Sequence, residues 1–167
     1  QRGRIFMANM HKHAVLSDVL VRKGSGFTAR HGHDFLMANS AQWIGFSLEI
    51  GPDGAVYVLD WHDGDICGNE VLHQNTGRIY RIAPTTSLAR AWEGRYSALR
   101  KMTDRQLIDL QTSNRDWHAR RARVILQSRA AKGLLKPETH AQLRELLAST
   151  RGTDFRLRAM WALHVSG

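Results

Sequence analysis

The chain has 167 residues, room for one ordinary domain or two small ones, and its 43% hydrophobic and 23% charged content is that of a globular protein rather than a disordered tail. No stretch approaches the roughly 18 apolar residues of a membrane-spanning helix, and the single cysteine, Cys67, excludes an internal disulfide framework, a multi-cysteine zinc site and a C-x-x-C-H haem attachment. The net charge of +9 is unevenly placed: residues 1–86 hold eight basic and eight acidic side chains, so the whole excess lies in residues 87–167, sixteen against seven. Such a shift predicts two structural units, and the reading divides the chain into residues 1–86, a linker over 87–102 and a second unit over 103–167.

The first half reads as strands and turns. Residues 3–10 (GRIFMANM) and 13–21 (HAVLSDVLV) are short apolar runs bounded by polar or glycine breaks. Within residues 46–61, Ser47 to Ile50 alternates polar and apolar as a half-buried strand does. Gly51-Pro52-Asp53-Gly54 then supplies a tight turn, with Pro52 presetting φ and Gly54 free to take φ > 0. Residues 55–59 (AVYVL) follow as a second, β-branched and aromatic strand. An acidic loop over 62–77 ends at Gly77, and residues 78–82 (RIYRI) make one more strand.

The period changes in the second half. Thr103 and Gln106 have capping-box spacing ahead of Leu107, Ile108 and Leu110. Ser113 or Asn114 is placed to cap a longer helix through about Ala131, with Gly133 as its stop. Pro137 is expected in the first turn of a third helix carrying Leu143, Leu146 and Leu147. Thr153 or Asp154 starts a fourth, with Phe155, Leu157, Met160, Trp161 and Leu163. Arg121-Ala122 followed by Leu126 lines up with Arg158-Ala159 followed by Leu163 at a shift of 37 residues, which predicts helix-pair repeats of the HEAT or armadillo kind.

The segments GRIFMANMH (3–11), SDVLVRKGSGFTARHGHDFLMAN (17–39), QWIGFSLEIGPDGAVYVLDWHDGD (42–65), TGRIYRI (76–82) and RLRAMWALH (156–164), in this order, resemble the large membrane-bound-dehydrogenase-type proteins of planctomycetes and verrucomicrobia. The resemblance implies the last one to two blades of a β-propeller, akin to quinoprotein glucose and sorbosone dehydrogenases, followed by truncated HEAT-like helical repeats. It also implies a piece of a longer, exported (periplasmic or cell-surface) oxidoreductase. That protein would oxidise a sugar or polyol through pyrroloquinoline quinone with calcium and pass electrons to a cytochrome c-type partner, any haem lying in a domain absent from this chain. The rival expectation is a non-catalytic propeller and HEAT scaffold that binds carbohydrate or protein.

Candidate site residues fall mainly in and around the acidic loop. Asp60, Asp63 and Asp65, with Asn69 and Glu70 nearby, concentrate oxygen donors of the kind calcium takes. The spacing is not that of an EF-hand, since the next alternate position is Cys67, and the same carboxylates could instead satisfy turn backbone. His62 and His31 are candidate general bases for alcohol oxidation. The pairs His11/His13 and His31/His33 would each share a strand face as metal ligands, or sit as polar rim residues. Arg78, opening a strand after Gly77, could face an anionic cofactor or pair with Asp60 or Asp63. The arginines of the helical half suit non-specific anions; specific nucleic-acid recognition is not expected, because no Gly-rich loop, stacking platform or recognition motif accompanies them.

Overall fold

The computed structural model describes residues 3–65, 70, 73–83, 85 and 93–167. The chain divides into two units, one formed by residues 1–51 and 55–85, the other by residues 52–54 and 86–167.

Among the described residues the first unit holds seven strands: β1 (Arg4–Asn9), β2 (Ala14–Lys23), β3 (Gly26–His31), β4 (Leu36–Met37), β5 (Gly45–Ile50), β6 (Val56–Asp60) and β7 (Arg78–Ile82). All pairings are antiparallel. One sheet runs β1-β2-β3, with β4 pairing the start of β2, and the other runs β5-β6-β7. The hairpins form where turn residues allow them. Gly54 takes φ +75° between β5 and β6, a backbone conformation open to glycine, and the Gly51 N–H donates to Ala55 O at 2.9 Å. The two sheets share one core: Val15, Trp43 and Val58 are fully buried, with Phe6, Phe35, Leu48 and Tyr80 packed around them. Trp43 dictates its own neighbour, because a Cβ on Gly45 would lie 2.2 Å from two carbons of the indole ring.

The second unit contains α1 (Asp104–Asp109), α2 (Asp116–Ala131), α3 (Thr139–Ser149) and α4 (Thr153–Ser166), preceded by short 3-10 turns at Glu93–Tyr96 and Leu99–Lys101. The capping box at Thr103 forms as its spacing predicts: the hydroxyl accepts from the Gln106 N–H at 3.2 Å and the Gln106 side chain accepts from the Thr103 N–H at 2.9 Å. Gly133 stops α2 at φ +64°. Pro137 stands ahead of the α3 cap residue Glu138 rather than in the first turn. Leu99, Leu107, Ile108, Ala122, Leu126, Leu143 and Ala162 make the core. Asp104 ties three parts of the chain to it, accepting from Arg129 Nη1 at 2.5 Å, the Lys136 N–H at 2.8 Å and Thr139 Oγ1 at 2.9 Å. Burial alone would raise the Asp104 pKa, but those bonds, that from the Lys136 N–H foremost, outweigh it and hold the carboxyl below its ordinary 3.8.

This architecture corrects the expected β-propeller fragment with HEAT-like repeats. Among the described residues the strands form two small open sheets, neither of them closed into a ring of blades, and the class is mixed α/β. Turn signals specify hairpins, which propellers and open sheets use alike, whereas the association of these hairpins is fixed by their common packing on Trp43. The 37-residue recurrence also has a different cause. The aligned Ala122 on α2 and Ala159 on α4 are both fully buried, and α2 lies against α4. The recurrence reflects small residues where two helices of one unit pack together, rather than equivalent positions in successive repeats.

Candidate ligand cavity on the β5-β6-β7 sheet

Strand alternation sets the site. Along β6, Val56, Val58 and Asp60 point to the core, so Tyr57, Leu59 and then Trp61 belong to the opposite face. Ile79 of β7 stands directly across from Leu59. In β5 the register slips between Gly45 and Ser47, leaving Phe46 as the extra residue of a bulge. The outcome is an apolar wall on the outer face: Phe46 is 56% exposed, Trp61 52% and Ile79 70%. Together with Leu59 these side chains line a cavity of about 490 Å³, and His73, Gln74 and Arg78 supply its polar groups.

Beside the wall, Asp60 organises the backbone. Its buried carboxylate accepts from the Ile44 N–H at 2.8 Å and the His62 N–H at 3.0 Å through Oδ1, and from Arg78 Nε at 3.2 Å and Nη2 at 3.1 Å through Oδ2. Asp60 and Arg78 are also cross-strand partners, so the ion pair follows from the register of β6 and β7. The Arg78 guanidinium lies 5.6 Å from the Tyr80 ring centroid. His62 follows with φ +54°, a left-handed conformation that few non-glycine residues hold without support. The support is Thr76, whose Oγ1 is 2.7 Å from His62 Nδ1 and donates to His73 O at 3.0 Å. His73 Nε2 is in turn 3.2 Å from Gln42 Nε2, and its ring centroid lies 6.2 Å from that of His62.

The residues singled out from the sequence separate into three groups. Asp60 and Arg78 line the cavity; His62 does not, and its ring centroid lies 6.2 Å from that of His73, which does. Asp63 is buried, with Oδ1 accepting from the Asp65 N–H at 3.3 Å, while Asp65 is exposed. His31 stands elsewhere, at the end of β3, where Nδ1 is 3.2 Å from Asp18 and Nε2 is 3.3 Å from Asp34. His13 sits at φ +49° in the turn before β2, its Nδ1 3.0 Å from Trp43 O, so His11 and His13 do not share a strand face. Cys67 and Asn69 lie outside the described residues, as do residues 87–92 of the linker.

The Asp60 carboxylate is engaged within the protein. Both oxygens of Asp60 are taken by protein donors, and among the described residues no three His, Cys, Asp or Glu side chains gather as metal donors. Arg78, proposed from the sequence as a cofactor anchor, has two guanidinium nitrogens committed to Asp60. No helix among the described residues is long and apolar enough to cross a membrane.

A family described as "Domain of unknown function (DUF7133)" matches residues 1–86. The chain belongs to this family. The matched span coincides with the strand-bearing unit, so the cavity is a feature of the DUF7133 domain itself. No curated protein and no solved structure matches the chain.

The cavity wall was only half legible in the sequence. Asp60, His62 and Arg78 attract notice as polar residues, while Phe46, Trp61 and Ile79 read as ordinary strand residues. The available signal was that β6 is apolar on both faces: Val56 and Val58 on one, Tyr57, Leu59 and Trp61 on the other. A strand with a solvated face alternates instead.

Proposed function

We propose that the DUF7133 unit of this chain binds a sugar or polyol in the cavity on the outer face of β5-β6-β7. One observation carries the reading: an exposed aromatic and aliphatic wall, Phe46, Leu59, Trp61 and Ile79, faces a cavity of about 490 Å³ whose polar groups are few and set at its edge. A pyranose has an apolar C–H face and a hydroxylated rim. Such a ring stacks its face on an indole and directs its hydroxyls to amide, imidazole and guanidinium donors. The cavity is large enough for one or two sugar rings, and Asp60 keeps β6 and β7 in register beneath it.

The resemblance to exported sugar dehydrogenases supports the same ligand class. In an oxidation, His62 is the best placed of the candidate bases, since Thr76 fixes its ring near His73, which lines the cavity. Binding is the first claim and oxidation a second, separable one. Titration of the chain with a panel of hexoses, pentoses and polyols, followed by tryptophan fluorescence and calorimetry, tests the first. Saturable heat that Trp61→Ala removes, with the circular dichroism spectrum retained, is expected. No saturable binding by any member of the panel would overturn the reading. Dye reduction by the chain supplied with pyrroloquinoline quinone, calcium and the tightest-binding sugar, lost in His62→Gln while sugar binding persists, would add the oxidation step.

A further inference from the structure

The helical unit concentrates positive charge where the fold supplies little to balance it. Helix α2 lies against α4, and three guanidinium groups meet along that seam. Arg158 Nη1 donates to Ser113 O at 2.6 Å, and its Nη2 pairs with Asp116. Arg123 Nη1 donates to the buried Gln111 Oε1 at 3.0 Å, and its guanidinium carbon lies 5.4 Å from the centroid of Trp161. Arg120 precedes Arg123 by one helical turn, is exposed, and has no hydrogen bond or ion pair among the described residues. Arg123 is thus held by a neutral amide and an aromatic face, with no salt-bridged carboxylate among the described residues. Burial first, then Arg158 and Arg120, push its pKa below the ordinary arginine range against the opposing pull of Asp116. A partly buried charge without a counter-ion is unfavourable, and Asp116, whose charge acts on Arg123, is already bound to Arg158. An anion arriving from outside would relieve this imbalance.

We propose that Arg120, Arg123 and the exposed part of Trp161 form a docking site for an anionic polysaccharide, sulfate or carboxylate groups seating on the two guanidinium groups and a sugar ring on the indole. Planar guanidinium donors match the two oxygens of a carboxylate or sulfate. Trp161 is 45% exposed beside Arg123. A single aromatic side chain suits one sugar ring, whereas single-stranded nucleic acid uses a row of stacking platforms. Charge complementarity favours a polyanion, as residues 87–167 carry sixteen basic against seven acidic side chains. The site lies in the helical unit, so it is separate from the cavity on β5-β6-β7.

Binding of a fluorescein-labelled sulfated dextran oligosaccharide to the full chain, read by anisotropy and by tryptophan emission at low and high salt, tests the site. Saturable, salt-sensitive binding is expected. It should weaken about tenfold, or ~1.4 kcal/mol, in the double variant Arg120→Gln/Arg123→Gln, and part of that loss should appear in Arg120→Gln alone, whose side chain supports no contact. The control pair Arg105→Gln/Lys132→Gln removes the same charge elsewhere on the unit and should change affinity less than about threefold. Equal losses in both double variants would reduce the site to diffuse charge and overturn it. So would tighter binding of oligothymidine or polyglutamate than of the sulfated glycan, or no saturable binding at all.

Discussion

The two units bury their apolar side chains differently. In the strand-bearing unit Val15, Trp43 and Val58 are fully buried at the centre of the core, while Phe46, Trp61 and Ile79 stand more than half exposed on the outer sheet face. In the helical unit a larger cluster, from Leu99 to Ala162, is buried, and its charged residues lie largely outside, many on α2 and α4. A β-sheet has two faces, and a unit with one thin core can cover only one of them. A helix offers one apolar stripe, which a small cluster can close. The proposed uncharged ligand with an apolar side is matched to the open sheet face, and the proposed anion to the helical surface.

The contrast can be broken at several points, and hydrogen exchange followed by mass spectrometry assigns each loss to its unit. The largest expected effect is in the helical core. Leu126→Ala, at a side chain with no exposure and closely packed neighbours, should cost about 4 kcal/mol. Protection should fall across α1 to α4; a loss below ~1 kcal/mol would show that the cluster does not act as one core. Next comes Gly45→Ala, which puts a methyl group 2.2 Å from the Trp43 ring. It should cost about 3 kcal/mol, with protection lost in both sheets. A loss confined to β5 would show that Trp43 does not unite them.

Smaller again is Asp104→Asn, which keeps the shape but weakens charge-assisted bonds to Arg129, Thr139 and the Lys136 N–H, at about 2 kcal/mol. It carries a pH signature. The folded pKa of Asp104 lies below the unfolded value near 3.8, so its contribution is fully present above that value and disappears as pH falls through the folded pKa. Acid titration of the parent below about pH 4 should destabilise the helical unit, and the Asn variant should show a shallower fall. Parallel curves would place the acid sensitivity elsewhere.

Local features were readable because local chemistry sets them. The capping box at Thr103 and Gln106 and the turn at Pro52 to Gly54 involve residues within a few positions of one another, and their side chains act on adjacent backbone whatever the fold. The strands Arg4–Asn9, Ala14–Lys23, Gly45–Ile50, Val56–Asp60 and Arg78–Ile82 lie where the sequence predicts them, over 3–10, 13–21, 47–50, 55–59 and 78–82. The architecture was not readable in this way. Hairpins carry no record of which face meets which, so a propeller and two open sheets on one tryptophan present the same turns. The placement of Asp60 was hidden for a related reason. Asp60, Asp63 and Asp65 are close in sequence, yet Asp60 is drawn inward to Ile44 and Arg78, sixteen and eighteen residues away.

By itself the sequence determined the strand-rich and helical halves of the pattern, the hairpin turns, the first helix cap and the uneven charge, all of them written in short spacings or simple sums. Only the tertiary structure decided that Trp43 would join two open sheets and that a bulge would turn Phe46 outward beside Trp61. It alone placed Arg123 between Gln111 and Trp161. Each of these depends on which distant side chains come together once the apolar surface is buried, and packing, unlike propensity, has no local code.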